Sequence, residues 1–304
     1  MPLNEILAYN YFQLTALLLL VMQNHKTNIF CGFLLSINNQ IFVKNSAMKN
    51  IKSIILGMVL ITVQTFGQLK PVQYKDGNQI LNGFKIGPEK KNAQKPDILI
   101  LLAWYGIDKL SKDTAESLSK LGYYSFIADI YGEGNYPKDN AEAGKNAGFY
   151  KKNFEAYQKR ISLALQQLID AGANPDNIVI IGYCFGGTGA LEAARAHLNI
   201  KGAVSFHGGL GKDASRPAEP ISTKILVCHG ADDPYEPTEE ILNFQKEMRD
   251  SKADWQMIYY ANAVHSFTNP EAGTDNSKGA AYNEKAAKRS FEHLKLFLNE
   301  VLKK

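Results

Sequence analysis

The stretch Ile178-Val-Ile-Ile-Gly-Tyr-Cys-Phe-Gly-Gly-Thr-Gly189 decides the fold. Its first four residues are β-branched and apolar, which is typical of a buried strand. The glycines around Cys184 then lead into the helix-forming run Leu191–Ala196. A strand, a sharp turn and a helix in this order predict a nucleophile elbow, with cysteine where serine usually stands. Gly182 and Gly186 are expected because side chains there would collide with the nucleophile, and the helix N-terminus favours a thiolate.

Two further motifs supply an acid and a base in the order that such an elbow requires. The segment His229-Gly-Ala-Asp-Asp-Pro234 follows a predicted strand, and its register selects Asp233 as the acid, with Asp232 as the second choice. His265 follows the last predicted strand, the place expected for the base. Each signal has a structural alternative, namely a buried cysteine, an Asp-Pro turn and a hydrogen-bonded histidine. The shared order of Cys184, Asp233 and His265 favours the catalytic interpretation.

These residue types define a nucleophilic mechanism. His265 would accept the thiol proton of Cys184 and later protonate the leaving group, while Asp233 would orient and stabilise the charged imidazole. The thiolate would attack an acyl carbon, and water would hydrolyse the resulting thioester. Two backbone N–H groups should hold the oxyanion: that of Phe185, after the nucleophile, and that of Trp104, in the turn after the first predicted strand.

Residues 68–304 are predicted to form a single α/β domain, with a mainly parallel sheet covered by helices on both faces. The predicted strands are Ile98–Leu102, Tyr124–Ala128, Ile178–Ile181, Ala203–Phe206, Ile225–Cys228 and Gln256–Tyr260. The predicted helices are Lys112–Leu121, Tyr157–Leu168, Leu191–Ala196, Thr238–Asp250 and a closing helix whose buried face is Phe291, Leu294, Leu298 and Val301. Between them, the polar, glycine-rich segment Gly132–Tyr150 is predicted to be a loop with a short helix over the site.

The composition excludes several classes of function. The chain has 304 residues, of which 45% are hydrophobic and 21% charged, as in ordinary globular proteins. Outside residues 1–67, which hold four lysines and one glutamate, it carries 30 basic and 29 acidic residues. This nearly neutral domain without a basic cluster argues against nucleic acid as a partner. Three cysteines are too few for a disulfide framework, and no spacing predicts a metal site.

Residues 48–67 are predicted to be a cleavable signal peptide. A short basic segment begins at Met48, the apolar segment Ile54–Val63 follows, and Gly67 is a suitable small residue before the cut. The apolar segment is short for a membrane span, although an uncleaved anchor is the alternative. Residues 1–47 are interpreted as a misassigned extension. The expected location is therefore periplasmic or extracellular, with no stable membrane association after cleavage.

Several motifs together resemble the dienelactone hydrolase family. They are Ala128–Gly132, Gly182–Gly187, Ser205–Gly209, His229–Pro234 and His265–Phe267. The resemblance runs from about Pro96 to the C-terminus, and the cysteine elbow is its most specific part, because most α/β-hydrolases use serine. The family implies an α/β-hydrolase fold and a carboxylic-ester or lactone hydrolase with a Cys-His-Asp triad, no metal and no organic cofactor.

Two positions depart from the family pattern. Family members typically carry glutamate one residue before the oxyanion donor, where it contacts the resting cysteine, and this chain has Ala103. Dienelactone hydrolases proper bind the substrate carboxylate with arginine, one of them four residues after the histidine, and this chain has Asn269. Lys138 is the cation offered by the loop after Tyr131. The resemblance therefore implies hydrolase chemistry but not dienelactone as the substrate.

Further candidates line the predicted pocket. Trp104, Tyr105 and Tyr136 would form an aromatic wall, although aromatic residues are often plain core. His207, at a strand end, would either line the pocket or make a strand-end hydrogen bond. Cys228 is interpreted as a buried strand residue.

The expected function is hydrolysis of a small-molecule ester or lactone. Two alternatives from other classes stay open: a hydrolase-fold binding protein without turnover, which Ala103 motivates, and a thiol redox or sensor protein that uses Cys184. The intact His265 and Asp233 count against both, because neither role requires a triad.

Overall fold

An eight-stranded, mainly parallel sheet forms the centre of the domain. The computed structural model describes residues 68–88 and 97–302. The strands are β1 (Lys70–Asp76), β2 (Gln79–Ile86), β3 (Asp97–Leu101), β4 (Tyr124–Ile127), β5 (Ile178–Tyr183), β6 (Gly202–Phe206), β7 (Lys224–Gly230) and β8 (Trp255–Tyr260). Their order in the sheet is β1-β2-β4-β3-β5-β6-β7-β8. The pairs β1/β2 and β2/β4 are antiparallel, and the other neighbouring pairs are parallel.

Helices cover both faces of this sheet. They are α1 (Lys109–Lys120), α2 (Asn140–Lys152), α3 (Phe154–Asp170), α4 (Phe185–Arg195), α5 (Thr238–Asp250) and α6 (Glu284–Val301). Alternate side chains of each strand enter opposite cores, so that Ile180 packs with residues of α3, α4 and α5, whereas Val179 and Ile181 pack with residues of α1 and α6. The predicted α/β-hydrolase type of architecture is confirmed, and each predicted strand is present to within two residues at either end.

The hairpin of β1 and β2 was not among the predicted elements. Tyr74 is the only buried residue of β1, and the sequence of this strand, Lys-Pro-Val-Gln-Tyr-Lys-Asp, has no apolar run. The signal that was available is the Gly77-Asn78 pair, which forms the two-residue hairpin loop, and Gly77 has the positive φ of 58° that such turns need. The hairpin extends the parallel sheet by two antiparallel strands at one edge.

The segment Gly132–Tyr150 contains a longer helix than the sequence predicted. Helix α2 has thirteen residues, and the side chain of Asp139 caps it by accepting a 2.8 Å hydrogen bond from the Glu142 N–H. Its buried residues are Ala143, Ala147 and Tyr150, and small side chains of this kind let the helix lie close to the domain. The prediction of a short helix was therefore wrong in length.

The predictions for residues 1–47 and 48–67 lie outside the described residues. Within residues 68–88 and 97–302, we find no helix with the length and apolar character that a membrane crossing would require.

Candidate active site

The elbow holds Cys184 in a strained backbone conformation between β5 and α4. Cys184 has φ 51° and ψ −115°, a region that non-glycine residues seldom occupy. A Cβ atom at Gly182 would lie 1.9 Å from the carbonyl oxygen of Gly186, and one at Gly186 would lie 2.4 Å from that of Leu101. The expected reason for the glycines was therefore wrong in detail. They are required because neighbouring backbone carbonyl groups occupy the space of a side chain at both positions. A clash between those side chains and the nucleophile is not the reason.

Three side chains form a continuous chain of contacts at this elbow. The Nε2 atom of His265 lies 3.0 Å from the Sγ atom of Cys184. The Nδ1 atom of His265 lies 2.8 Å from Oδ2 of Asp233. Asp233 is buried, whereas the neighbouring Asp232 is exposed. The arrangement can therefore pass a proton between sulfur and imidazole while a carboxylate holds the ring.

The loops after β7 and β8 hold the acid and the base by backbone contacts. The Tyr235 N–H donates to the other carboxylate oxygen of Asp233 at 2.9 Å. The His265 N–H donates to the Gly279 carbonyl at 3.1 Å, and the His265 carbonyl accepts from the Ala281 N–H at 3.0 Å. Both loops are therefore fixed at the carboxyl end of the parallel strands, where this class of sheet binds ligands.

The electrostatics of the site favour a thiolate. Burial would raise the pKa of the Cys184 thiol, but the hydrogen bond to His265, the charges of His265 and Lys151 and the Phe185 N–H outweigh it, so that the pKa is lowered. Burial would lower the pKa of His265, but its hydrogen bonds to Asp233 and Cys184 outweigh this effect and raise the pKa above its usual range. Both shifts favour the thiolate–imidazolium pair.

The two candidate oxyanion donors are linked by a residue that the sequence did not single out. The backbone N–H of Phe185 is one of the groups that lower the pKa of the Cys184 thiol, so it lies beside the reacting position. The hydroxyl of Tyr131 donates to the Trp104 carbonyl at 2.8 Å. The Tyr131 ring stacks on Phe185 with centroids 5.8 Å apart. The motif Ala128–Gly132 contained Tyr131, but its link to both donors depends on the folded chain.

The predicted aromatic wall is partly exposed and is held by polar contacts. Trp104, Tyr105 and Tyr136 are 36%, 42% and 39% exposed. The Tyr105 hydroxyl donates to the side chain of Asn140, at the start of α2, over 2.5 Å. The Tyr136 hydroxyl donates to the buried carboxylate of Asp129 over 2.6 Å. These tyrosine hydroxyls are engaged, so the rings rather than the hydroxyls are the surfaces available to a ligand.

Tyr235 belongs to the same aromatic set, although the sequence analysis did not name it. Its ring lies edge-on to that of His265, with centroids 5.3 Å apart, and it is 57% exposed. The signal that could have found it is its position, two residues after Asp233 in the loop that carries the acid.

His207 and Asn269 lie near the site but make contacts with the protein itself. His207 is buried, its Nε2 atom lies 2.7 Å from the hydroxyl of Thr268, and its ring centroid is 5.3 Å from that of His265. Of the two roles considered for His207, the contact with Thr268 supports the hydrogen-bonding one. The Asn269 side chain accepts a 3.0 Å hydrogen bond from the Glu271 N–H and caps a short 3₁₀ turn. Its oxygen is therefore directed to its own loop.

A cavity of about 240 Å³ lies next to the strands that lead into the site, because Tyr183 of β5 and Phe206 of β6 are among its lining residues. Residues of α1, α6 and the 268–270 loop line it, and the three side chains of the Cys184 cluster do not. Cys228 is buried in β7, where burial raises the pKa of its thiol to about 12. Among the described residues there is no group of three or more histidine, cysteine, aspartate and glutamate side chains arranged to hold a metal ion.

Comparison with known proteins gives consistent matches. The model of the Dienelactone hydrolase family matches residues 81–302, beginning within β2 and so earlier than the motifs indicated. A Bradyrhizobium sp. protein named "Probable 2-oxo-3-(5-oxofuran-2-ylidene)propanoate lactonase" is 28% identical over 183 residues, which cover 57% of this chain and 73% of that protein.

Two solved structures extend this similarity to the fold. A dienelactone hydrolase-like promiscuous phosphotriesterase from metagenomic libraries is 32% identical, with a TM-score of 0.74, and the match covers 78% of this chain and 100% of that one. A second structure, named m3DLH, is 30% identical with a TM-score of 0.74, and the match covers 78% of this chain and 99% of the other.

Proposed function

Because the chain belongs to the dienelactone hydrolase family and is a carboxylic-ester or lactone hydrolase, we propose that it acts through Cys184, His265 and Asp233 by way of a thioester acyl-enzyme. One observation carries this proposal: the unbroken chain of contacts of 3.0 Å and 2.8 Å from sulfur to imidazole to carboxylate. The lowered pKa of Cys184 supports it, because the thiolate is the nucleophilic form.

In the first half-reaction the Cys184 thiolate adds to the carbonyl carbon of the substrate, and the carbonyl electrons move to oxygen. The N–H groups of Phe185 and Trp104 stabilise this oxyanion. When the tetrahedral intermediate collapses, the acyl C–O bond breaks, and the Nε2 atom of His265 gives its proton to the leaving oxygen. The products are a thioester and an alcohol, or, from a lactone, a single ring-opened chain.

In the second half-reaction His265 takes a proton from water, whose oxygen adds to the thioester carbon. Collapse of this second intermediate breaks the C–S bond, releases the carboxylic acid and restores the thiolate–imidazolium pair. Asp233 stays ionised throughout, since its role is to hold the imidazole in one orientation and to stabilise its charge.

The substrate is a small-molecule ester or lactone, and we propose that its neutral forms are preferred. Ala103 and Asn269 stand where the family pattern has glutamate and arginine, and the Asn269 side chain is engaged with its own turn. The partly exposed rings of Trp104, Tyr105 and Tyr235 suit apolar parts of an acyl or alcohol group.

A panel of short-chain aryl esters and lactones, assayed with the wild type, Cys184→Ala and Cys228→Ala, tests the mechanism. Cys184→Ala should lose on the order of a thousandfold in kcat, as expected for a triad nucleophile, whereas Cys228→Ala should retain activity. Undiminished turnover by Cys184→Ala would refute the mechanism. An acyl burst on Cys184 without steady turnover would favour a binding protein, and rapid peroxide oxidation of Cys184 without esterase activity would favour a redox sensor.

A further inference from the structure

Beside the elbow, three polar side chains from three different elements face one small space. A Cβ atom at Gly209 would lie 3.0 Å from Oγ1 of Thr188, 3.1 Å from Nζ of Lys151 and 3.3 Å from Oε1 of Glu236. The three groups come from α4, from the end of α2 and from the loop before α5. Because Gly209 carries no side chain, these three polar atoms can converge on it from three directions, and we call the place where they converge the Gly209 recess.

The Gly209 recess adjoins the reacting groups. Thr188 lies one turn after the nucleophile in α4, where its N–H donates to the Cys184 carbonyl at 3.3 Å. The charge of Lys151 is one of the causes that lower the pKa of Cys184. Glu236 follows Asp233 by three residues in the same loop. These relations place the recess on the side of the elbow that carries Cys184, and we infer that a substituent of a bound substrate reaches it.

Thr188 has an unused hydrogen-bonding group. The residue is 6% exposed, and its Oγ1 atom has no hydrogen-bond partner among the described residues. Buried hydroxyls in proteins are nearly always hydrogen-bonded, and one that has no protein partner calls for another, such as a water, an ion or a ligand. The position of this hydroxyl, at the recess beside Lys151 and Glu236, favours a ligand as its partner.

The carboxyl of Glu236 is held so that one oxygen remains available. Its Oε2 atom accepts a 3.1 Å hydrogen bond from the Leu210 N–H, which leaves Oε1 at the recess. Burial raises the pKa of this carboxyl to about 7, with the charges of Glu240 and Asp233 adding to the rise and that of Lys151 opposing it. Above neutral pH the recess therefore offers an acceptor in Glu236 and a cationic donor in Lys151.

This combination matches one class of substituent. A hydroxyl can donate to Glu236 and, with its two lone pairs, accept from both Lys151 and Thr188, so every group finds a partner. A carboxylate would accept from Lys151 but face the like charge of Glu236, and a methyl group would leave all three unpaired.

We propose that Lys151, Thr188 and Glu236 form a subsite for a hydroxyl group of the substrate, so that the preferred substrates are hydroxylated esters or lactones. The inference rests on the hydrolysis at Cys184 proposed above and specifies its substrate class. A site built to hydrogen-bond a hydroxyl discriminates strongly against the analogue that lacks it, because its own polar groups are then left unpaired.

Matched substrates test this at mildly alkaline pH. On the acyl side they are aryl butanoate, aryl β-hydroxybutanoate and the aryl monoester of succinate. On the alcohol side they are propyl and hydroxyethyl butanoate. In one of the two series the wild type should favour the hydroxylated ester over its deoxy analogue by about tenfold or more in kcat/KM. Equal kcat/KM values in both series, or a preference for the succinate monoester, would overturn the proposal.

Variants show which residues discriminate between the hydroxylated ester and its deoxy analogue. Thr188→Val keeps the side-chain shape and Lys151→Met keeps its length, and both should bring the hydroxyl-to-deoxy ratio close to one. Gly209→Ala, which fills the recess, should do the same. Lys152→Met, at the exposed neighbouring position of α2, should leave the ratio and the activity unchanged. A ratio that survives in Thr188→Val and Lys151→Met would show that these residues are structural only.

A binding measurement separates this proposal from the hydrolytic one. Protection of Cys184 against iodoacetamide is compared for β-hydroxybutanamide and butanamide, neither of which needs to be turned over. The hydroxylated amide should protect at about tenfold lower concentration, and Thr188→Val should abolish the difference. Absence of esterase activity together with this protection would refute the hydrolysis but keep the subsite, whereas equal protection by both amides would refute the subsite.

Discussion

The hydroxyl of Tyr131 donates a 2.8 Å hydrogen bond to the backbone carbonyl of Trp104, while its ring lies parallel to that of Phe185. One side chain therefore contacts both residues proposed to supply the oxyanion donors. A carbonyl that is held in place also fixes the peptide planes next to it, because the backbone has few soft torsions. We infer that Tyr131 positions the Trp104 turn relative to the elbow.

Replacing Tyr131 by phenylalanine keeps the stacked ring and removes the hydrogen bond to Trp104. We expect kcat to fall about tenfold or more with little change in KM, because the loss concerns a donor that acts mainly in the transition state. Steady-state kinetics measure both parameters. Tyr150→Phe is the matched control, since it also loses a bond to a backbone carbonyl, that of Ile130 at 3.0 Å. An equal fall of kcat in both variants would contradict a positioning role.

The ionisation of Cys184 is predicted to occur at lower pH than that of an ordinary thiol. The hydrogen bond from His265 and nearby positive charges outweigh burial, so the thiolate forms below the usual thiol pKa of 9.0. The rate of alkylation by iodoacetamide should therefore reach half of its maximum below that pH. Cys228 should not react in the folded protein, because it is buried and its thiol pKa is raised to about 12.

The pH dependence of Cys184 alkylation in His265→Ala tests whether His265 lowers the pKa of the thiol. Without the imidazole, burial is the largest remaining influence on the Cys184 thiol, and burial raises its pKa. The alkylation midpoint should move upward by at least a full pH unit. A midpoint that stays low in His265→Ala would show that Lys151 and the helix N-terminus stabilise the thiolate by themselves.

Neutral esters should outperform carboxylate-bearing ones. A bidentate arginine–carboxylate pair is among the stronger polar contacts, and removing one partner of a desolvated pair costs about 2–5 kcal/mol. Lys138, as a flexible point charge, does not reproduce that geometry. The measurement compares kcat/KM for an aryl succinate monoester and its terminal amide. A wild-type preference for the carboxylate would mean that another cation supplies the clamp.

The variant Asn269→Arg tests whether that position reaches the substrate. A guanidinium at position 269 should reduce the difference in kcat/KM between the carboxylate substrate and its amide. The variant would also lose the cap that Asn269 gives to its 3₁₀ turn. Asn269→Ala, which loses the cap without adding charge, is the control. An unchanged gap in Asn269→Arg would show that the side chain at this position stays turned away from the substrate.

We also propose that the mature protein is exported. The signal-like segment 48–67 predicts a first residue near Gln68 and a soluble extracytoplasmic fraction. N-terminal sequencing of protein isolated from its native host measures this. Finding Met1 or Met48 intact on cytoplasmic protein would contradict it.

Much of the fold could be predicted because its signals are local. The parallel strands are short apolar runs followed by turn residues, and the helices alternate with them, so element type and order follow from nearby sequence. The β1–β2 hairpin lacks such a run, because Tyr74 is the only buried residue of β1. The length of α2 was also underestimated, because its alanines and glycines give it little amphipathic pattern.

The residues of the candidate site also include some that the sequence could predict and some that it could not. Cys184, Asp233 and His265 each follow a strand end, so their order along the chain could be read directly. Tyr131 could not be assigned a role, because its contacts to the Trp104 turn and the elbow exist only after folding. The Gly209 recess is a similar case, since its three polar groups come from separate elements.

The backbone crossing at the elbow bears on how variants of this enzyme should be sought. Since the Gly186 carbonyl occupies the place of a Cβ at Gly182, and the Leu101 carbonyl that of a Cβ at Gly186, saturation mutagenesis of these codons would yield mainly misfolded clones. Useful diversity lies instead in segments that approach the nucleophile from outside. A library that randomises the end of α2 and the exposed positions of the loop after β7, with Asp233 kept, would vary substrate choice and leave the turn that presents the sulfur unchanged.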